Sequence, residues 1–404
     1  MQYFQLPADT LRLGDVTGFA LRDKSGKLLV PRGISLTTQA QLDTLLSREL
    51  YVDAHDAEQL RRTMGAQLDE MVRNNVRIGR IAAARIDISM EEGSPEADKP
   101  RRVDDPAGAW TRQQERLAPL LRDPVAGEFG TDIRREDRQM LYLLDGAPDV
   151  ALLLLVHKAA HDVVDYSVEH AMLVAVVCEL AARQLRLWTT AERVSLRCAA
   201  LSMNVATTRL QNQLARQDTP LTDEQRAELA GHGRRGAQML RAVGVDDELW
   251  LSAVEQHHDM PPGPLSQLPM AGQMARLIQR ADVFGARLSA RKRRLALSGT
   301  MAAKAAFLDE TGQPDEAGAA IVKAVGINPP GSLVRLASQE IAVVLGRGPR
   351  ANEPVVAAIT NPAGEPLGEP SPRDTRLATH AVTGSVAPHE ARLRLNLAKL
   401  VRMA

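Results

Sequence analysis

The chain holds nine histidines, and two of them stand side by side in Glu255-Gln256-His257-His258-Asp259-Met260-Pro261-Pro262-Gly263. Three further residues share their setting: His170, His232 and Asp282 each lie on a segment with helical apolar spacing. Imidazole nitrogen together with carboxylate oxygen suits a divalent transition metal such as Zn, Fe or Mn. Unpaired imidazoles and carboxylates on buried faces are costly, so residues of this kind on separate helices are expected to meet. The alternative is a set of core histidines, each satisfied by its own hydrogen bonds, and the pattern leaves both readings open. His55, His161, His380 and His389 stand in polar contexts and read as solvated, whereas His157 fits either class.

The elements that must position this set are helical. His170 lies in the segment 166–185, apolar nearly all round, which marks a central buried helix. His232 shares a stripe with Leu229, Gly236, Met239 and Val243, the spacing of an inward face. His257 follows Trp250, Ala253 and Val254, and His258 follows Leu251 and Val254. Adjacent residues on a helix diverge by about 100°. Pro261 and Pro262 end the helix at that point, which allows both rings to turn into one cavity. Asp282 follows Ile278 by one turn and precedes Gly285.

Around these helices the expected fold is mainly α, a helical bundle with a small C-terminal β hairpin or sheet, preceded by a small α+β N-terminal module. The module spans 1–55, with two β segments about Asp23-Lys24-Ser25-Gly26, a helix carrying Leu42, Leu45 and Leu46, and a returning strand at 50–52. Residues 56–110 read as a helical connector followed by a charged, Pro- and Gly-rich linker. Residues 111–360 form the main domain, in which Thr189 with Glu192 and Thr222 with Gln225 are capping boxes opening helices. Residues 361–404 read as a loose tail that ends in an amphipathic helix.

Composition removes several function classes. Fifty basic against fifty acidic residues give no global field for nucleic acid or an anionic membrane. The longest strongly apolar run, 150–156, is far short of the roughly twenty residues that span a bilayer. Cys178 and Cys198 sit in apolar helical patterns and read as buried, reduced thiols. With no basic leader followed by an apolar core at the N-terminus, the expected location is the cytoplasm.

The order and spacing of these segments resemble the HD-GYP family, bacterial phosphohydrolases of the HD superfamily that cleave cyclic di-GMP at a two- or three-metal site. The resemblance covers about residues 130–360. "YSVEHAMLVAVVCELA" resembles the first ligand helix, with His170 as its histidine. "LAGHGRRGAQML" resembles the "HP-x-x-G" helix around His232, and "VEQHH" supplies both histidines of "HHE". "QRADVFGARLSARKRR" resembles the segment of the metal aspartate, here Asp282, with Arg291 and Arg294 in the places of two arginines that could hold a nucleotide phosphate. "GINPPGSLVRLASQEIAVVL" resembles the C-terminal hairpin.

The departures fall on the chemistry. Where the family has His-Asp this chain has Met203-Asn204, and the family's lysine becomes Thr207. A neutral amide replaces a metal-bridging carboxylate, and a soft thioether replaces an imidazole. One metal position, which would use His170, the missing His-Asp and Asp282, is largely dismantled. The other retains His232, His257 and His258, enough for one Zn with an open position. The resemblance therefore implies a catalytically degenerate signalling protein that binds cyclic di-GMP or partner proteins, diguanylate cyclases of the GGDEF type among them. The alternatives are an active phosphohydrolase on an altered site and an adaptor without metal or nucleotide.

Overall fold

The computed structural model describes residues 105–259, 261, 263–309, 311–391 and 395–404, with short segments of the first 53 residues. Residues 54–104, which include His55 and most of the expected connector and linker, lie outside the described residues. The chain divides into two compact units, Met1–Arg101 and Arg102–Ala404.

In the first unit an antiparallel sheet joins β1 (Tyr3–Leu6), β2 (Leu21–Arg22), β3 (Leu28–Val30) and β4 (Leu50–Asp53) in the order β1-β4-β2-β3. The expected turn after Arg22 is present: Asp23 Oδ1 accepts the Lys27 N–H at 3.0 Å. Leu21, Leu50 and Val52 are buried.

The second unit starts with α1 (Pro106–Arg122), capped by Asp105, so its boundary precedes the expected one at 110/111. Pro106 suits the first helical turn, where no N–H is needed. There follow α2 (Phe129–Gly146), α3 (Pro148–His161), α4 (Tyr166–Leu185) and α5 (Thr190–Ser202). Next come α6 (Thr208–Arg216), α7 (Asp223–Leu229), α8 (His232–Ala242), α9 (Glu248–Gln256) and α10 (Met270–Leu288). Then α11 (Gly299–Phe307) and α12 (Glu316–Val325) lead into the sheet. Both expected capping boxes are formed, at Thr189 and Thr222. Every residue of α4 from Tyr166 to Ala182 is buried, which its all-round apolarity requires, and α5, α10 and α12 pack around it. No single helix among the described residues is long and apolar enough to cross a membrane.

A buried ion cluster ties three of these helices together. Arg197 on α5 grips Asp137 on α2 with two hydrogen bonds of 2.6 and 2.8 Å and reaches Glu179 on α4 at 2.7 Å. All three are almost wholly buried, 2 % exposed at most. Burial pulls the Arg197 guanidinium down, but the hydrogen bonds and charges of Asp137 and Glu179 outweigh it and raise its pKa. Glu179 also accepts from Arg183 at 2.7 Å and Arg193 at 3.0 Å.

The C-terminal strands β5 (Leu333–Leu336), β6 (Ile341–Gly346), β7 (Val355–Thr360), β8 (Pro366–Arg373) and β9 (Val382–Val386) make an antiparallel sheet in the order β8-β7-β6-β5-β9. Period-two alternation sends Ile341, Val343 and Leu345 to the helical core and Ala342 and Val344 to a second small cluster. The segment from 361, expected to be loose, instead supplies β8 and β9, and its end is two short helices, α13 (Pro388–Ala391) and α14 (Leu397–Met403). The pairing is long-range: β9 lies beside β5, far off in sequence, and polar edge strands give little local signal.

Candidate metal centre

His232 opens α8 directly after Gly231, whose φ of +66° is the left-handed conformation that glycine adopts without penalty. Its Nδ1 donates to the Leu229 carbonyl at 2.9 Å. His257 caps the C-terminus of α9, where the last carbonyls lack helical partners, and its Nδ1 donates to Val254 O at 2.7 Å. The two helix ends approach because residue 233 is glycine. A Cβ there would stand 2.8 Å from the carbonyl oxygens of both Glu255 and Val254 and 3.3 Å from the His257 ring.

The consequence is chemical. With each Nδ1 spent as a donor, neutral His232 and His257 present bare Nε2 lone pairs to one another at 3.2 Å. His258 Nε2 stands 3.3 Å from the same His232 nitrogen, and the ligand atoms of all three rings lie within 4.8 Å of one another. Facing lone pairs repel unless a proton or cation lies between them. A proton is opposed: burial, the neighbouring imidazoles and, for His257, the charge of His258 hold its pKa at about 3, and burial lowers His232 as well. Nitrogens about 2.0–2.1 Å from a tetrahedral zinc lie about 3.3 Å apart, which matches both separations. The residues present therefore fit a single divalent ion. His257 is 1 % exposed and His258 faces solvent, so the set has a buried wall and an open side.

A pH dependence follows for the metal-free protein. His257 is held far below its ordinary 6.5, so the unfolded chain binds a proton that the folded one refuses between about pH 6.5 and 3. Its contribution to stability is complete above 6.5 and is lost as pH falls towards 3, by up to about 1.4 kcal/mol per pH unit. Urea denaturation of chelated protein at pH 7, 6 and 5 checks this. The decline should flatten in His257→Asn.

The second half of the expected set has closed on itself. His170 Nε2 and Asp282 Oδ1 are hydrogen-bonded at 2.6 Å. Burial would raise the Asp282 carboxyl, but the bond to His170 and the charges of His170, His257 and His258 hold it at about 2. Asp282 thus stands ionised within electrostatic reach of the three histidines, while its own hydrogen bond goes to His170. Gly285 makes room for this pair, since a Cβ there would meet the His170 ring at 3.2 Å. Tyr166 stacks on His170 with ring centroids 5.4 Å apart. Arg291 in turn lies 4.5 Å from the centre of the Tyr166 ring and donates to its hydroxyl at 2.6 Å. Arg294 donates to Ala286 O at 2.5 Å, and the Nε of each arginine is buried without a partner among the described residues. Burial, with Arg291 beside it, lowers the Arg294 pKa.

Met203, Asn204 and Thr207 follow α5, and Met203 and Val205 lie against α8 one turn beyond His232: a Cβ on Gly236 would lie 3.5 Å from Val205 and 3.8 Å from Met203 O. Met203 is wholly buried, and the Thr207 hydroxyl turns back on the Asn204 carbonyl at 3.3 Å. Met239, expected on the inward stripe with His232, is exposed instead, because the inward face of α8 runs through Gly233, Gly236, Ala237 and Leu240. The parts that Tyr166, Gly233 and Gly285 play are not evident from the sequence. Their signals are present only in outline: a glycine on each side of His232, an aromatic four residues before His170, and a glycine three after Asp282.

No family model matches the chain, and no curated protein matches it. Among solved structures it is similar to Bd1817, an HDG"Y"P protein from Bdellovibrio bacteriovorus, at 15% identity and a TM-score of 0.42, covering 80% of this chain and 99% of that one.

Proposed function

We propose that this chain is a regulatory protein of the HD-GYP type that holds one divalent transition metal on His232, His257 and His258 and binds a cyclic dinucleotide without hydrolysing it. One observation carries the reading. Two imidazoles with committed Nδ1 atoms aim bare Nε2 lone pairs at one point, with a third imidazole beside them. A metal here supplies Lewis acidity towards a phosphate oxygen or a bound water. Hydrolysis by the two-metal route also needs a second ion and a bridging carboxylate. This chain offers Asn204 at the position that the resemblance assigns to the bridge, and it ties Asp282 to His170.

The binding half is supported by Arg291 and Arg294, whose buried, unpartnered Nε–H groups await an acceptor. A phosphate would satisfy both with charge-assisted hydrogen bonds. Signalling proteins such as diguanylate cyclases are the proposed partners.

Metal analysis of purified protein, joined to binding and hydrolysis assays with cyclic di-GMP, tests the reading. About one Zn, Fe or Mn per chain, measurable binding and no turnover are expected. A metal-free protein that still binds nothing after reconstitution would overturn it. The double variant Arg291→Gln, Arg294→Gln should weaken cyclic di-GMP binding at least about tenfold, one charge-assisted hydrogen bond being worth about 1.5–3 kcal/mol. The solvent-facing side at His258 favours a second reading, hydrolysis at a mononuclear site. In that case turnover is present and His257→Ala abolishes it.

A further inference from the structure

A cavity of about 370 Å³ lies away from the histidine cluster, between α1, α3 and α4, with Leu397 of α14 at its edge. That volume is in the range of small-ligand sites. Trp110, Leu155 and Met172, each at most 5 % exposed, form an apolar wall, and His157, Lys158, His161 and Asp162 line the cavity as well. The most deeply buried carboxylate in its lining is Glu169, 4 % exposed.

The partners of that carboxylate among the described residues all converge on one of its oxygens. Gln114 Nε2 donates to Glu169 Oε1 at 3.1 Å, and Lys158 Nζ pairs with the same oxygen at 3.2 Å while also bonding Gln114 Oε1. Glu169 Oε2 is buried with no partner among the described residues, and so is Nδ1 of His157. A buried carboxylate oxygen left unsatisfied costs about 1–3 kcal/mol or more, so its persistence in a lined cavity points to a ligand that brings a donor. His157 brings no charge to the cavity at neutral pH, because burial and His161 hold its ring at about 4.

We propose that this cavity is a binding site for a small amine, whose apolar body packs among Trp110, Leu155 and Met172 while its ammonium donates to the free oxygen of Glu169. Glu169 and His170 are successive residues of α4 and point to different sides, one to this cavity and one to Asp282. The two sites therefore share the first turns of one helix.

Isothermal titration calorimetry of the full chain with 2-phenylethylamine, 2-phenylethanol and phenylacetate tests this directly. The amine should bind at one site, at least tenfold tighter than the alcohol, and the acid should not bind. Glu169→Gln places an N–H where the free acceptor stood and should weaken the amine at least tenfold. Glu169→Asp keeps the charge and should retain the preference for amine over alcohol, which separates lost recognition from lost folding. Equal affinity for amine and alcohol, or amine binding unchanged in Glu169→Gln, would overturn the proposal. The readout involves neither metal nor turnover, so its failure leaves the histidine site untouched.

Discussion

Arg197→Met is expected to cost the folded state about 3–5 kcal/mol, the range for removing one partner of a buried ion pair. The substitution keeps volume but leaves Asp137 without its two short hydrogen bonds and Glu179 without one of three cations. For the unit Arg102–Ala404 the melting temperature should fall by about 5–8 °C. Two controls separate charge from packing. The double variant Asp137→Leu, Arg197→Met removes the orphaned carboxylate together with its partner, leaving Glu179 with Arg183 and Arg193, and should recover much of the loss. In the single variant, Asp137 would be a buried acid with a raised pKa, so part of the stability should return as pH falls through that value. A single variant as stable as the parent would show that the cluster contributes little.

Gly233→Ala is expected to weaken metal binding at the proposed centre without unfolding the protein. Its Cβ would meet two main-chain oxygens at 2.8 Å, and backbone cannot swing aside as a side chain does. The start of α8 must therefore move off the end of α9 by some tenths of an ångström. Metal–ligand distances tolerate about 0.2 Å. Disturbing the supports of metal ligands costs about 10–100-fold in affinity, and a shift of one whole ligand helix should reach at least that. Competition titration with a chromophoric chelator measures the loss, and circular dichroism confirms the retained helices. Gly236→Ala is the matched control on the same helix, because its Cβ would meet only ordinary contacts of 3.4 Å and beyond. Equal metal affinity in Gly233→Ala and parent would mean that the histidines do not act as a set.

Much of the architecture was readable in advance because local rules and packing agree. All-round apolarity announced α4 as the central helix, and capping boxes announced the starts of α5 and α7. The strands β5 and β6 lie in the segment that read as the C-terminal hairpin. Reading failed where pairing is long-range or where small residues decide a face. The region after 360 supplies edge strands whose partners lie far back in the chain, and the inward face of α8 follows its glycines rather than Met239.

The sequence by itself determined which groups this protein has for chemistry: three histidines in two helices, a His170 and an Asp282, and Met203-Asn204 in place of His-Asp. Residue type sets what a site can bind, and it is legible without coordinates. Only the tertiary structure decided how those groups are shared out. His170 and Asp282 bond to each other, while His232, His257 and His258 converge with their Nδ1 atoms committed or their ring exposed. Tautomer, separation and partner depend on where two helix ends meet. Gly233 fixes that meeting through a contact of less than 3 Å that no helical period reveals.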